Sequence, residues 1–180
     1  MKLDLICNKL EVLSLINPND EYYTPEYAVT PLLKYVSKFK NIWCPFDLDH
    51  SGFVQVFKSN GYNVFNSHIA NNQDFLKMNT PKDIDCIISN PPYSLKNEIL
   101  QKLFTLKKPF AMLMGVVGIF ESKKRFDLFK SNKFEIMYFN KRVSYYQNNE
   151  LGKRLNPPFS SVYICSQLLP SQIIFEQITK

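Results

Sequence analysis

No pair of cysteines in this chain of 180 residues has metal-ligand spacing. Cys7, Cys44, Cys86 and Cys165 are scattered, without a C-x-x-C, which argues against both a zinc centre and a disulfide framework. Three of the four stand in apolar, strand-like stretches, where a thiol acts as a small hydrophobe. No apolar run approaches the ~20 residues that a membrane span needs, so no membrane partner is expected. The opening residues, Met1-Lys2-Leu3-Asp4, carry an early acid and no signal-peptide core, which makes the cytoplasm the expected compartment. Repeats, low-complexity tracts and linkers are also missing, so one domain over residues 1–180 is expected.

What is present reads as a globular chain. Hydrophobic residues make up 45%, aromatics 14% and charged residues 21%, enough apolar material to bury a core. The net charge of +6 is unevenly spread. Residues 1–90 carry 8 Lys/Arg against 10 Asp/Glu, and residues 91–180 carry 14 against 6. A basic second half suits a polyanionic partner, because contacts to phosphates release counterions.

Along the chain, strand and helix signals alternate. Leu3, Ile6, Leu10, Leu13 and Leu15 recur at helical spacing, and Asn17-Pro18-Asn19-Asp20 ends that helix. Thr24 suits an N-cap and Pro25 the first helical position, so a second helix is predicted from there to about Phe39, kinked at Pro31. Asn41–Asp47 predicts the first core strand and the loop after it. Ser51 caps a helix from Gly52 to Ser59, which Asn60-Gly61 closes. Tyr62–Asn66 and Asp83–Ser89 predict further strands, the second of them a buried parallel one. A helix over Leu95–Leu106, started by Ser94 or Asn97, presents Leu95, Ile99, Leu103 and Leu106 on its apolar face. Phe110–Met114 reads as a strand covered on both faces. A helix over Ser122–Lys130, strands at Phe134–Phe139 and Val143–Tyr146, and a last strong strand at Val162–Cys165 complete the pattern. Such alternation predicts an α/β fold with a mostly parallel sheet.

The most informative residues are Asn90-Pro91-Pro92-Tyr93. They stand where a buried strand ends and a crossover helix begins, the edge of an α/β sheet at which ligands bind. The two prolines hold the backbone extended and remove two N–H donors while leaving their carbonyls as acceptors. Asn90 adds an amide oxygen and Tyr93 a flat face. Together they can accept hydrogen bonds from an amino group and stack on the planar ring that carries it.

This tetrad after an apolar strand resembles the catalytic motif of S-adenosylmethionine-dependent adenine-N6 DNA methyltransferases, and the loop Cys44-Pro45-Phe46-Asp47 is similar to that of a phage-type subgroup. The resemblance implies a Rossmann-like methyltransferase fold, with a C-terminal antiparallel hairpin and helices on both faces. It implies S-adenosylmethionine as cofactor and methyl transfer to the exocyclic N6 of adenine in DNA. Asn90 and Pro91 would bind the target amine, with Pro92 stiffening the bend and Tyr93 stacking on an extruded base. Tyr22, Tyr23 and Thr24 would lie against the cofactor's methionine or ribose, and Pro45 and Asp47 (or Asp49) against the methionine end. His68 (or Asn66) would meet the ribose. Asp74 would meet the cofactor's adenine amine and Phe75 its ring, although a helix cap and a core Phe account for that pair equally. Phe159, with Tyr146 as the second candidate, would complete the sandwich on the base. Lys123, Lys124, Arg125, Arg142, Lys153 and Arg154 are the candidate nucleic-acid contacts; no metal is implied.

Three parts follow: a helical segment over 1–40 with the Tyr-Thr-Pro turn, a cofactor and catalytic half over 41–115, and a basic, nucleic-acid-facing half over 116–180. In two places the sequence departs from the family. Its first loop is not glycine-rich, and the second strand ends in Asn66-Ser67-His68 rather than in an acid. These departures keep other readings open: adenine in RNA, a glutamine amide in a protein, or a non-catalytic subunit of the same fold that binds nucleic acid or a partner. The chain is short for a large target-recognition domain, so a short site read by one hairpin or by a homodimer is expected, in the host cytoplasm if the gene is phage-borne.

Overall fold

The computed structural model describes residues 22–146 and 154–180, the last segment beginning with two residues, Arg154 and Leu155, whose side chains are left aside. The helix expected over residues 2–16, and Lys153, lie outside the described residues. Seven strands form one sheet: β1 (Asn41–Cys44), β2 (Asn63–Asn66), β3 (Cys86–Ser89), β4 (Phe110–Gly115), β5 (Glu135–Phe139), β8 (Ser161–Ser166) and β9 (Ile173–Glu176). Two short strands, β6 (Tyr145–Tyr146) and β7 (Arg154–Leu155), pair antiparallel as a separate ribbon.

The sheet order is β2-β1-β3-β4-β8-β5-β9. Every neighbouring pair is parallel except those made by β8, which runs antiparallel between β4 and β5. This is a Rossmann-like α/β sheet, in which the antiparallel pairing expected as a C-terminal hairpin is made by β5 and β8, while β9 pairs parallel with β5. The pattern read from sequence stops at Val162–Cys165; the structure adds β9 beyond it. The turn between the two strands is held by Glu135, whose carboxylate accepts the amides of Gln167, Leu168 and Leu169 at 2.8–3.1 Å.

The central strands read as continuous apolar runs because helices cover both faces. On one face Ile42, Cys44, Cys86 and Ile88 meet α1 (Glu26–Val29), α2 (Leu33–Val36) and α3 (Gly52–Ser59). On the other face Trp43, Ile87 and Met112 meet α4 (Lys96–Leu106) and α5 (Lys123–Ser131). Alternate residues of one strand thus serve two cores. Asp85 ties the strand starts together: its Oδ2 accepts the amides of Lys40 and Asn41, each at 2.8 Å. Those two hydrogen bonds hold its carboxyl below the usual carboxylate range.

Local differences from the expected boundaries have physical causes. Pro25, not Thr24, occupies the N-cap of α1, with φ −72° and ψ 149°, and Thr24 makes no capping bond. Pro31 does interrupt the helix, tightening Thr30–Leu32 into a 3-10 turn between α1 and α2, and α2 ends at Val36 rather than near Phe39. Ser51 caps α3 as expected, accepting the Val54 amide at 3.3 Å. The chain enters α4 through a 3-10 turn, Tyr93–Leu95, so Leu95 takes the N-cap in place of Ser94 or Asn97. Leu95 is consequently 38% exposed instead of buried on the helix face, and Leu100 is buried instead.

β1 turns to β2 on one side and neighbours β3 on the other, so the strand order reverses at β1, and the crevice beyond β1 and β3 is the switch point where such sheets hold ligands. One glycine shapes the approach to it. A Cβ on Gly52 would lie 2.3 Å from the Thr24 carbonyl oxygen, a contact between main chains that no rotamer change relieves. Gly52→Ala is therefore expected to destabilise the fold by about 1–2 kcal/mol, the cost of overpacking less the gain in helix propensity. A urea titration checks this, and the midpoint should fall.

Candidate active site

A cleft with about 1040 Å³ of empty space, continuous with solvent, opens at the switch point. Of the residues singled out from sequence, Tyr22, Tyr23, Thr24, Pro45, Asp47, His68, Asp74, Phe75, Asn90 and Pro92 all line it. They come from four segments: the strap before α1, the loop after β1, the stretch after β2 and the bend after β3. Pro91 is buried outside the lining, and Tyr93 packs at one end among aromatic rings.

Asp47 follows β1 and is only 7% exposed. The Ser89 hydroxyl, at the end of β3, donates a short hydrogen bond to its Oδ2. Burial pushes the Asp47 carboxyl up to about 6, although the hydroxyls of Ser89 and Ser51 pull the other way. A dehydrated carboxylate at a cleft wall has a standing affinity for a cation. Asp49, the alternative, is exposed and paired with Lys58 at 3.4 Å. Ser89 was not distinguishable by motif; its signal is its place immediately before the tetrad at the end of a strand.

Asn90 is held from behind. Its Nδ2 donates to the Tyr22 carbonyl at 3.0 Å, which fixes the amide orientation and leaves Oδ1 as the free acceptor. That Oδ1 is buried and has no hydrogen-bond partner among the described residues. The Thr24 hydroxyl oxygen shares this condition. A buried polar atom without a partner costs about 1–3 kcal/mol, so these two residues of the cleft are its candidate points of contact with a ligand. Of the two proline carbonyls, that of Pro92 is taken by the Leu95 amide at 3.2 Å, and that of Pro91 has no partner among the described residues.

On the opposite wall Phe75 is buried between Trp43 and Phe46, with ring centroids 5.2 and 5.0 Å away. Lys102 lies over its ring at 4.9 Å. Asp74 Oδ1 accepts the Leu76 amide at 2.9 Å, and its Oδ2 pairs with Lys77 at 3.5 Å. Both residues keep the local structural roles that the sequence left open while also facing the cleft. The imidazole Nδ1 of His68 accepts the Ala70 amide at 3.1 Å, capping the 3-10 turn Ile69–Asn71. Ser67 is buried and accepts the Trp43 indole N–H at 2.9 Å.

Tyr93 belongs to a cluster of rings: Tyr22 stacks on it at 5.8 Å and 25°, and Phe159 meets it edge-on at 5.7 Å. Phe159 thus lies against the tetrad, and the further ring of the cluster is Tyr145, the neighbour of the second candidate Tyr146. Strand alternation turns Tyr146 away, its main chain bridging Tyr23 instead. Tyr145 is fully buried; its hydroxyl donates to Ser161 Oγ at 2.7 Å and lies 3.2 Å from that of Tyr93. Gly115 makes this packing possible, since a Cβ there would sit 3.0 Å from the Phe159 ring and 3.3 Å from Tyr93. Sequence gave no signal for either Tyr145 or Gly115.

The described basic candidates differ in their surroundings. Arg125 is half-buried and spent internally, bonding the carbonyls of Ile119 (2.8 Å) and Gly118 and the Asn97 side chain (2.5 Å). It staples the loop after β4 to α4, a correction to its reading as a phosphate contact. Lys123 pairs with Asp127 at 3.2 Å, while Lys124, on α5, and Arg142, in the connection between β5 and β6, are exposed. Arg154 stands in β7, its side chain outside the description. Among the described residues no cluster of His, Cys, Asp and Glu fit to hold a metal ion is present, and no helix is long and apolar enough to cross a membrane.

No family model and no curated protein sequence matches this chain. Among solved structures, precorrin-6y C5,15-methyltransferase from Geobacter metallireducens GS-15 superposes with a TM-score of 0.44 at 9% identity, covering 76% of this chain and 83% of that one. A proposed methyltransferase from Thermoplasma acidophilum gives 0.41 at 11% identity, covering 87% of this chain and 69% of that one.

The Asp47 environment makes stability and binding oppose each other. Because its carboxyl is raised from 3.8 to about 6, the folded state carries the cost of a buried charge above pH 6 and none below 3.8. The difference is worth roughly 3 kcal/mol at neutral pH. Asp47→Asn should thus raise the melting temperature at pH 7–8, with the gain shrinking to nothing as the pH falls to about 4. Thermal scans across that range check the prediction.

Proposed function

We propose that this chain transfers a methyl group from S-adenosylmethionine to the exocyclic N6 of adenine in DNA. The observation that carries the reading is the Asn90 amide: clamped through its nitrogen by the Tyr22 carbonyl, with a buried, unpartnered oxygen beside stacked aromatic rings. Such a group is built to take one proton donor, and the neighbouring Pro91 carbonyl offers a second acceptor.

The cleft residues fit the cofactor. The Asp47 carboxylate suits the ammonium of its methionine end, a charge-assisted pairing in a dry site. The Thr24 hydroxyl lacks a partner on the same side. Phe75 and Phe46 offer apolar surface, with Asp74 beside them, for an adenine ring. Asn66 and His68 are the groups near which a ribose hydroxyl would find a partner in the absence of the family's acid. When bound, the cofactor supplies an electrophilic methyl group on a sulfonium.

The acceptor amine is a poor nucleophile because its lone pair is delocalised into the ring. Asn90 Oδ1 and the Pro91 carbonyl, accepting hydrogen bonds from its two N–H groups, favour a tetrahedral nitrogen and aim its lone pair; the N–C bond would form as the bond from methyl to sulfur breaks, and the surplus proton would pass to solvent. Catalysis is then positioning together with electrostatic stabilisation of the developing charge. Tyr93 remains neutral, since burial pushes its hydroxyl well above the ordinary value, and serves as a stacking face. A base in a duplex reaches this bend only when extruded, which the aromatic cluster suits. The excess of Lys and Arg in residues 91–180 supports a polyanionic substrate.

The test is methyl transfer from labelled S-adenosylmethionine to DNA, to RNA and to glutamine-containing peptides, with DNA expected to be the acceptor. Asn90→Ala is expected to lower turnover by at least about 10²-fold, the usual cost of one such hydrogen-bonding group. Calorimetry should find cofactor affinity nearly unchanged in that variant. Equal turnover would remove Asn90 from the mechanism. Failure of the native protein to bind the cofactor, alone or with DNA, would favour a non-catalytic binding subunit.

A further inference from the structure

The tetrad already holds a planar ring. Tyr22 lies nearly parallel to Tyr93, 25° apart with centroids 5.8 Å away, and meets Phe159 edge-on at 6.3 Å. The same residue's carbonyl holds the Asn90 amide, whose Oδ1 has no access to solvent. An incoming amine therefore reaches Oδ1 only after a neighbour moves. Tyr145, packed 5.2 Å from Tyr22, is completely buried and tied to Ser161 and Tyr93, so it stays. Tyr22 is half-buried, and its side chain can leave while its carbonyl keeps Asn90 aimed.

We propose that the Tyr22 side chain is an internal stand-in for the acceptor ring, and that it sets substrate class by requiring the acceptor to out-stack a phenol. The inference rests on the methyltransferase reading above and deepens it. A nucleobase stacked on an aromatic side chain gains roughly 5- to 160-fold by comparison with alanine, and its amine also satisfies Asn90 Oδ1, which the phenol leaves without a partner. Through stacking and that hydrogen bond together a nucleobase displaces Tyr22. A side-chain amide, which has no ring to offer, does not recover what the displaced phenol loses. The slot selects nucleic acid over a protein glutamine through this competition, in addition to any contact with the phosphate backbone.

The test uses a single-stranded oligonucleotide with 2-aminopurine in place of one adenine, whose fluorescence falls when the base stacks, with no methyl transfer required. Tyr22→Ala should bind it about two- to tenfold more tightly than the native protein, with deeper quenching, and Tyr22→Phe should match the native protein. Tyr22→Leu, which keeps apolar bulk over Tyr145, should behave as Tyr22→Ala and guards against a folding defect in the smaller variant. A glutamine-containing peptide should compete with the oligonucleotide in Tyr22→Ala better than in the native protein. If the native protein binds and quenches but Tyr22→Ala and Tyr22→Leu bind equally or more weakly, Tyr22 is a wall of the slot and the proposal falls alone. If no form binds the oligonucleotide, the nucleic-acid reading falls with it.

Discussion

A carboxylate stripped of water at the point where the strand order reverses is the constraint on which the site depends. Asp47 stands after β1 and its hydrogen-bonding partner Ser89 at the end of β3, so one short bond closes the two strands over the crevice. A buried charge is tolerated only when fixed dipoles replace its hydration. The hydroxyls of Ser89 and Ser51 replace part of it, and the remaining deficit is what keeps the carboxyl near 6. The position is a poor choice for stability, because above pH 6 the carboxylate is ionised at a cost that the two hydroxyls offset only in part.

Around that carboxylate the strap Tyr22–Thr24 connects three parts of the molecule. Its first residue orients Asn90, its second bridges β6 through paired main-chain bonds with Tyr146, and its third lies against the bare Cα of Gly52 at the start of α3. Tyr27, one turn further on, is joined through its hydroxyl to the main chain of Ser144, just before β6. The tetrad, the start of α3 and the β6–β7 ribbon therefore share one mechanical support, and none of them is positioned by its own segment alone.

Much of this was legible in the sequence, and the reason differs by level. The apolar runs at Ile42–Cys44, Cys86–Ile88 and Phe110–Met114 announce strands buried on both sides, and Pro31, Ser51 and Gly61 punctuate the helices as their backbone chemistry requires. The tetrad located the cleft because two prolines and an asparagine at a strand end have few other uses. Contacts made across the sheet were not legible. Nothing local reveals that Ser89 faces Asp47, that Arg125 bonds carbonyls of the loop beside it rather than phosphates, or that Tyr145 rather than Tyr146 turns inward. β9 was missed because Ile173–Phe175 is a short run with half its side chains exposed, a weak signal without knowledge of the edge it joins.

The antiparallel strand has a consequence for how the chain is made. β5 neighbours only β8 and β9, both of which follow it in sequence. As the chain leaves the ribosome, Glu135–Phe139 emerges with no partner on either flank and waits for more than twenty further residues before Ser161–Ser166 arrives to lie between it and β4. Until then the nascent molecule has an unfinished sheet and an exposed apolar segment, the state most open to capture by chaperones or by another growing chain.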